Sequence, residues 1–270
     1  SKYGGAIYIK NCTDFVADNF IIENSAHWSF RIENCNNVKI NNFIINNNRN
    51  VANADGFDIA GTSNISIDHC FVSTADDGIC IKNAVWLGNT GTMSNISVTD
   101  CEVISRANSF KIGTETTYDI SNVTVRDCKF MMTDLYPGTV SGIAIESADG
   151  SRVHNITVQN IIMDRVTCPV FIRLCNRNRA AEVDAVSANA VEFGKKKKKA
   201  SSAPKDMFDK KGEVFNINMC PMLHSKILKY IMPLTKRFMT GVRLFPNMPM
   251  FIPNHGDLGT SRLTEYGQGM

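Results

Sequence analysis

Residues 53–82 read NADGFDIAGTSNISIDHCFVSTADDGICIK, and the fold is decided there. Within this stretch Asn64-Ile65-Ser66-Ile67 alternates branched apolar and polar residues, the period of two that a strand imposes. The same pattern returns at Asn37-Val38-Lys39-Ile40, Asn95-Ile96-Ser97-Val98, Asn122-Val123-Thr124-Val125 and Asn155-Ile156-Thr157-Val158. Asp14-Phe15-Val16-Ala17 is a weaker copy. Successive starts lie 23, 27, 31, 27 and 33 residues apart. Fixed strands at irregular intervals predict the stacked coils of a β-solenoid, joined by loops of variable length.

The columns that such stacking creates have a consistent chemistry. Six residues after each start stand Phe20, Phe43, Cys70, Cys101, Cys128 and Ile161, which predicts an interior stack. The cysteines in it read as small buried hydrophobes. The chain has nine cysteines, an odd number, and no Cys-x-x-Cys pair, so neither a disulfide framework nor a zinc site is expected. The repeat also creates Asn-x-Ser/Thr sequons at Asn64, Asn95, Asn122 and Asn155, which the strand pattern generates on its own.

A second strand recurs as Ile7-Tyr8-Ile9, Phe30-Arg31-Ile32, Phe57-Asp58-Ile59, Ile79-Cys80-Ile81, Phe110-Lys111-Ile112, Ile143-Ala144-Ile145 and Ile172-Arg173-Leu174. Its flanking apolar residues point inward, so the middle residues form an outward column from Tyr8 to Arg173. Three positions earlier lies another column: Trp28, Asp55, Asp77, Asn108, Ser141 and Val170. Asp55 and Asp77 thus occupy neighbouring rungs, expected about 4.7–4.9 Å apart. Asp76 adjoins Asp77 in the bend, and Trp28 and Asn108 flank the acids below and above.

Three convergent carboxylates suit glycosidic-bond cleavage, which needs one carboxyl to protonate the leaving oxygen and another to activate water or attack carbon. Crowding raises their pKa values and keeps a proton available. Turn chemistry accounts for Asp55-Gly56 or Asp77-Gly78 singly, but poorly for the shared column with Asp76 beside it. Calcium also favours clustered carboxylates, yet the acids are few and packed among apolar strands. No metal and no cofactor are expected. Trp28 offers an aromatic face for a sugar ring.

A chain of 270 residues with 43% hydrophobic and 20% charged residues can bury a substantial core. Its formal charge is +3, but Lys195 to Lys199 supply five positives and the remainder sums to −2. A nucleic-acid surface is therefore not expected. No apolar run is long enough for a membrane span, and no signal peptide is read in a chain that opens in mid-pattern. The repeat fails after Arg179. Residues 180–212 are expected to form a surface loop carrying the lysine run. Residues 213–270 are expected to hold a last coil with a strand over Val214–Met219, then a tail. There Leu223, Ile227, Ile231 and Leu234 predict an amphipathic helix capping the solenoid, and His255 is read as a surface histidine.

At the aspartates the sequence resembles glycoside hydrolase family 28, the polygalacturonase-like enzymes on a right-handed parallel β-helix. The family's Asn-Thr-Asp motif resembles Asn53-Ala54-Asp55, continuing into Gly56-Phe57-Asp58, and its Asp-Asp motif matches Asp76-Asp77-Gly78. The resemblance spans roughly residues 1–179. It implies hydrolysis with inversion, Asp76 as general acid and Asp55 with Asp77 activating water. Two motifs depart: Gly-His-Gly falls on Ala107-Asn108-Ser109, and Arg-Ile-Lys, which grips the uronate carboxylate, falls on Ala144-Ile145-Glu146. Glu146 would repel a galacturonate. Lys111, Arg173 and Arg31 stand as replacement cations, Lys111 first. The expected substrate is a pectic or related polysaccharide or oligosaccharide, such as rhamnogalacturonan. The expected protein is a secreted or periplasmic monomer. A polysaccharide lyase on the same architecture, with Lys111 as proton acceptor, and a non-catalytic glycan-binding solenoid are the alternatives.

Overall fold

The computed structural model describes residues 5–132, 139–175 and 177, with strands at Glu213–Met219 and Arg243–Leu244. Six coils contribute three strands each. They are β1 (Ile7–Lys10), β2 (Thr13–Asp18) and β3 (Ile21–Glu23); β4 (Phe30–Glu33), β5 (Asn36–Asn41) and β6 (Ile44–Asn46); β7 (Phe57–Ala60), β8 (Ser63–Asp68) and β9 (Phe71–Thr74). Then follow β10 (Ile79–Asn83), β11 (Met93–Thr99) and β12 (Glu102–Ser105); β13 (Asn108–Thr116), β14 (Ile120–Arg126) and β15 (Lys129–Met131); β16 (Ser141–Ser147), β17 (Arg152–Gln159) and β18 (Ile162–Asp164). A further partial coil holds β19 (Cys168–Leu174) and β20 (Glu213–Met219), and β21 (Arg243–Leu244) pairs with β20 one rung beyond it. Every strand pairs in parallel with its counterpart one coil away, giving sheets β1-β4-β7-β10-β13-β16-β19, β2-β5-β8-β11-β14-β17-β20-β21 and β3-β6-β9-β12-β15-β18. This is the parallel β-solenoid that the repeat predicts, and β20 covers the strand expected over Val214–Met219. The loop at 180–212, the helix at 223–234 and His255 lie outside the described residues.

The alternation fills one continuous interior. Phe30 stacks on Phe57, which aligns with Ile79 and then Phe110, and all four are fully buried. On the second sheet Val38, Ile65, Ile96, Val123 and Ile156 share one buried column. Phe43, Cys70, Cys101, Cys128 and Ile161 are interior as expected, and the three thiols donate to the carbonyls of Asp68, Thr99 and Arg126 at 3.2, 3.1 and 3.1 Å. Phe20 departs from the expectation: it is 48% exposed on the first described coil, where it stacks on Phe43 at 5.3 Å.

The repeated asparagine does more than open each strand. Asn37, Asn64, Asn95, Asn122 and Asn155 all sit in the left-handed region, with φ of 54–60°, a conformation that costs most L-residues about 1–2 kcal/mol and that Asn tolerates best. Their side-chain amides form a ladder: Asn95 donates to Asn64 at 2.8 Å, Asn122 to Asn95 at 3.2 Å and Asn155 to Asn122 at 3.1 Å. Asn95→Ala is expected to lose about 1–2 kcal/mol in urea unfolding, from the left-handed backbone and the broken ladder. Asn95→Gly, free of the backbone penalty, loses less. Equal losses in both would count against the backbone explanation.

Two register expectations fail at the last rung of the first sheet. Ala144 aligns with Phe171, and Arg173 aligns with Glu146, so Arg173 is not in the Lys111 column. Ser141 aligns with Cys168 rather than Val170. Val170-Phe171-Ile172 and Ile172-Arg173-Leu174 both fit the apolar-x-apolar pattern. A slip of two residues keeps every side chain on its own face, so alternation cannot exclude it.

Candidate active site

Gly56 and Gly78 bring the rungs of the first sheet together beside the acids. A Cβ on Gly56 would stand 2.3 Å from the Gly78 carbonyl oxygen, and one on Gly78 would stand 2.6 Å from that of Ser109. Each Asp-Gly pair therefore joins a carboxylate to a close backbone approach. Asp55 and Asp77 are 97% buried, Asp76 in the bend after β9 is half-buried, and one oxygen from each lies within 4.8 Å of the others.

The three acids differ in their partners. Asp77 Oδ1 accepts from Asn108 Nδ2 at 2.6 Å and Oδ2 from Lys111 Nζ at 2.9 Å. Asp76 Oδ1 accepts from the Asp77 backbone N–H at 3.0 Å, and the hydroxyls of Thr74 and Ser105 each hold its carbonyl at 2.7 Å. Asp55 Oδ1 has no hydrogen-bond partner. Burial, then the Asp58 charge, pushes the Asp55 carboxyl well above the usual range. Burial, then the Asp77 charge, raises Asp76 more modestly. Asn108 thus stands beside Asp77, as its column predicts, and Lys111 reaches it from the next column.

A second group of charges surrounds these acids. Lys82 Nζ lies 3.1 Å from Asp58 Oδ1 and 3.5 Å from Glu115 Oε2. It also sits 4.2 Å above the Trp28 ring, with Arg31 5.2 Å from the same ring, contacts of the cation–π kind. Arg31 pairs with Glu33 at 2.5 Å, which also binds Lys10 and the Tyr8 hydroxyl. Glu146 is 7% exposed, and its Oε1 lies 3.9 Å from Lys111 Nζ. Burial raises its carboxyl against the opposing charges of Lys111 and Arg173. Arg177 binds Asp149 and the Thr114 carbonyl. Of the expected replacement cations, Lys111 and Arg31 are therefore already held by carboxylates, and Arg173 is exposed beside Glu146.

Lys82 and Glu115 did not figure in the sequence reading. Lys82 stands two residues after outward-facing Cys80, so the alternation itself would have placed it on this face. Glu115 follows a register shift between Ile81 and Asn83 against β13, where alternation no longer applies. Burial raises Asp58 to about 7, against the lowering charge of Lys82. An unfolded aspartate titrates near 3.9. The stability that Asp58 contributes is thus fully present below about pH 4 and is lost as pH rises through about 7. The melting temperature is expected to fall across that window, and Asp58→Asn to flatten the fall. An unchanged slope would contradict a titrating Asp58.

An endo-polygalacturonase of Pectobacterium carotovorum subsp. carotovorum is 34% identical over 122 residues, 44% of this chain and 28% of the relative. A probable polygalacturonase of Arabidopsis thaliana is 31% identical over 150 residues, 53% of this chain and 30% of the relative. The matches thus span less than a third of either relative. The crystal structure of a hyperthermoactive exopolygalacturonase from Thermotoga maritima superposes with a TM-score of 0.55 at 21% identity, covering 80% of this chain and 44% of that one, a likeness of fold. The model of glycosyl hydrolases family 28 matches residues 2–206, well over half of the chain, and the chain belongs to that family.

Proposed function

We propose that the protein hydrolyses a glycosidic bond in a pectic or related glycan by carboxylate acid–base chemistry. The observation that carries this reading is the trio of Asp55, Asp76 and Asp77, with oxygens within 4.8 Å and both oxygens of Asp77 held by Asn108 and Lys111. Asp76, the most accessible of the three and raised by burial and by Asp77, keeps a proton for the leaving oxygen. Two oxygens that close can share one water, each about 2.7–2.8 Å from it. Asp55 and Asp77 therefore hold the attacking water between them, and its proton passes to Asp77, the carboxylate paired with Lys111. Lys111 lowers Asp76, so Lys111→Met is expected to move the alkaline limb of the pH–rate profile to higher pH.

Elimination is less well supported. Burial works against the Lys111 ammonium, but the Cys80 sulfur and the Asp77 and Glu146 carboxylates outweigh it and raise its pKa. A charged lysine bonded to Asp77 is a poor proton acceptor. The family pattern implies attack by water with inversion, whereas the closest oxygens are nearer the roughly 5–5.5 Å of retaining pairs than the roughly 6.5–9.5 Å of inverting ones. Proton NMR of the first-formed product tests the water-attack route: the anomer opposite to the substrate linkage is expected, and retention would shift one aspartate to the role of nucleophile. The substrate is an extracellular polymer in this reading, met by a secreted or periplasmic monomer. No helix among the described residues is long and apolar enough to cross a membrane.

A further inference from the structure

Three cations around the three acids are already committed. Lys111 bridges Asp77 and Glu146, Lys82 bridges Asp58 and Glu115, and Arg31 is bound to Glu33. With Asp76 holding the proton it donates and burial favouring the protonated forms of Asp55 and Asp58, Asp77, Glu115 and Glu146 still stand against Lys82 and Lys111. Arg173 is exposed, lies in register with Glu146 and acts on that carboxyl. Among the described residues an incoming carboxylate would have to leave water beside this excess of negative charge, with Lys82, Lys111 and Arg31 already paired. Glu146 is the one of these carboxylates that stands, 93% buried, one rung above Lys111. A sugar hydroxyl, by contrast, can donate to a carboxylate.

We infer that the sugar unit bound against Asp55, Asp76 and Asp77 is uncharged, and that Glu146 is the residue that selects it over a uronate. This rests on the proposed hydrolytic site and names the substrate class that the site accepts. Asp76→Asn protein, which binds without turnover, is titrated by calorimetry with three probes: oligogalacturonides, the same oligomers with their carboxyls chemically reduced to alcohols, and a set of neutral oligosaccharides. At least one neutral ligand is expected to bind about tenfold or more tightly than any oligogalacturonide. Adding Glu146→Lys is expected to shift the preference toward oligogalacturonides by at least about tenfold. Glu146→Gln, nearly the same size, is expected to move it the same way by less, and serves if the lysine variant fails to fold. Oligogalacturonides binding as well as the neutral ligands, or no neutral ligand binding at all, would overturn the inference. Turnover by the unmodified protein separates it from the catalytic reading. Hydrolysis of polygalacturonate refutes the inference and leaves the catalysis standing. Neutral ligands bound but never cleaved refute the catalysis and leave the recognition standing.

Discussion

Asp76→Asn is expected to lower turnover by roughly 10²–10⁴-fold, the effect of losing a positioned acid or base. The loss is expected without collapse of the fold, because the Asp76 backbone carbonyl, not its side chain, takes the Thr74 and Ser105 hydroxyls. The side chain accepts from the backbone N–H groups of Asp77 and Asn53, and an asparagine oxygen can accept such bonds too. Substrate affinity should change little, since the proton is needed in the transition state rather than for binding. A melting curve close to that of the unmodified protein is the control. Turnover within a few-fold of normal would remove Asp76 from the role of acid.

Phe57→Ala is expected to destabilise the protein by about 3–5 kcal/mol, the range for truncating a buried aromatic. Phe57 is fully buried, with ring centroids of Phe30 and Phe43 each 5.9 Å away. It also lies two residues from Asp55 on a strand where Gly56 and Gly78 already touch. A cavity there loosens both the interior stack and the rung that holds the acids. Each coil contacts its neighbours rather than a distant core, so the loss is expected to be local to the third coil and its neighbours. Hydrogen exchange checks this, with faster exchange centred on β4, β7 and β10. A destabilisation below about 1 kcal/mol would mean that the interior closes over the gap.

The fold and the acid column were legible for the same reason. Alternation of period two fixes which side of the sheet a residue faces, and the recurring Asn64-type pattern fixes where each coil begins. Asp55, Asp77 and Asn108 could therefore be aligned without coordinates. Alternation does not fix a register shift of two, which is why Arg173 was expected opposite Ala144 and aligns with Glu146, two residues along the same strand. Nor does it say how far a side chain reaches. Lys111 and Arg31 were available cations on paper, and in the structure they are bound by Asp77, Glu146 and Glu33. The left-handed asparagines were visible as a motif but not as a conformation, because Asn also begins ordinary strands. Glu115 lies past an irregularity that no periodicity announces.

The central claim is hydrolysis by the three aspartates, and its most direct measurement is product chemistry. The protein and its Asp76→Asn variant are incubated with pectic polysaccharides and oligosaccharides, including rhamnogalacturonan, while reducing ends and ultraviolet absorbance are followed together. The account predicts new reducing ends from the unmodified protein, no rise in absorbance, and almost complete loss in the variant. Absorbance rising with the reducing ends would show an unsaturated product and elimination, and reducing ends undiminished in the variant would show that the bond is broken without Asp76.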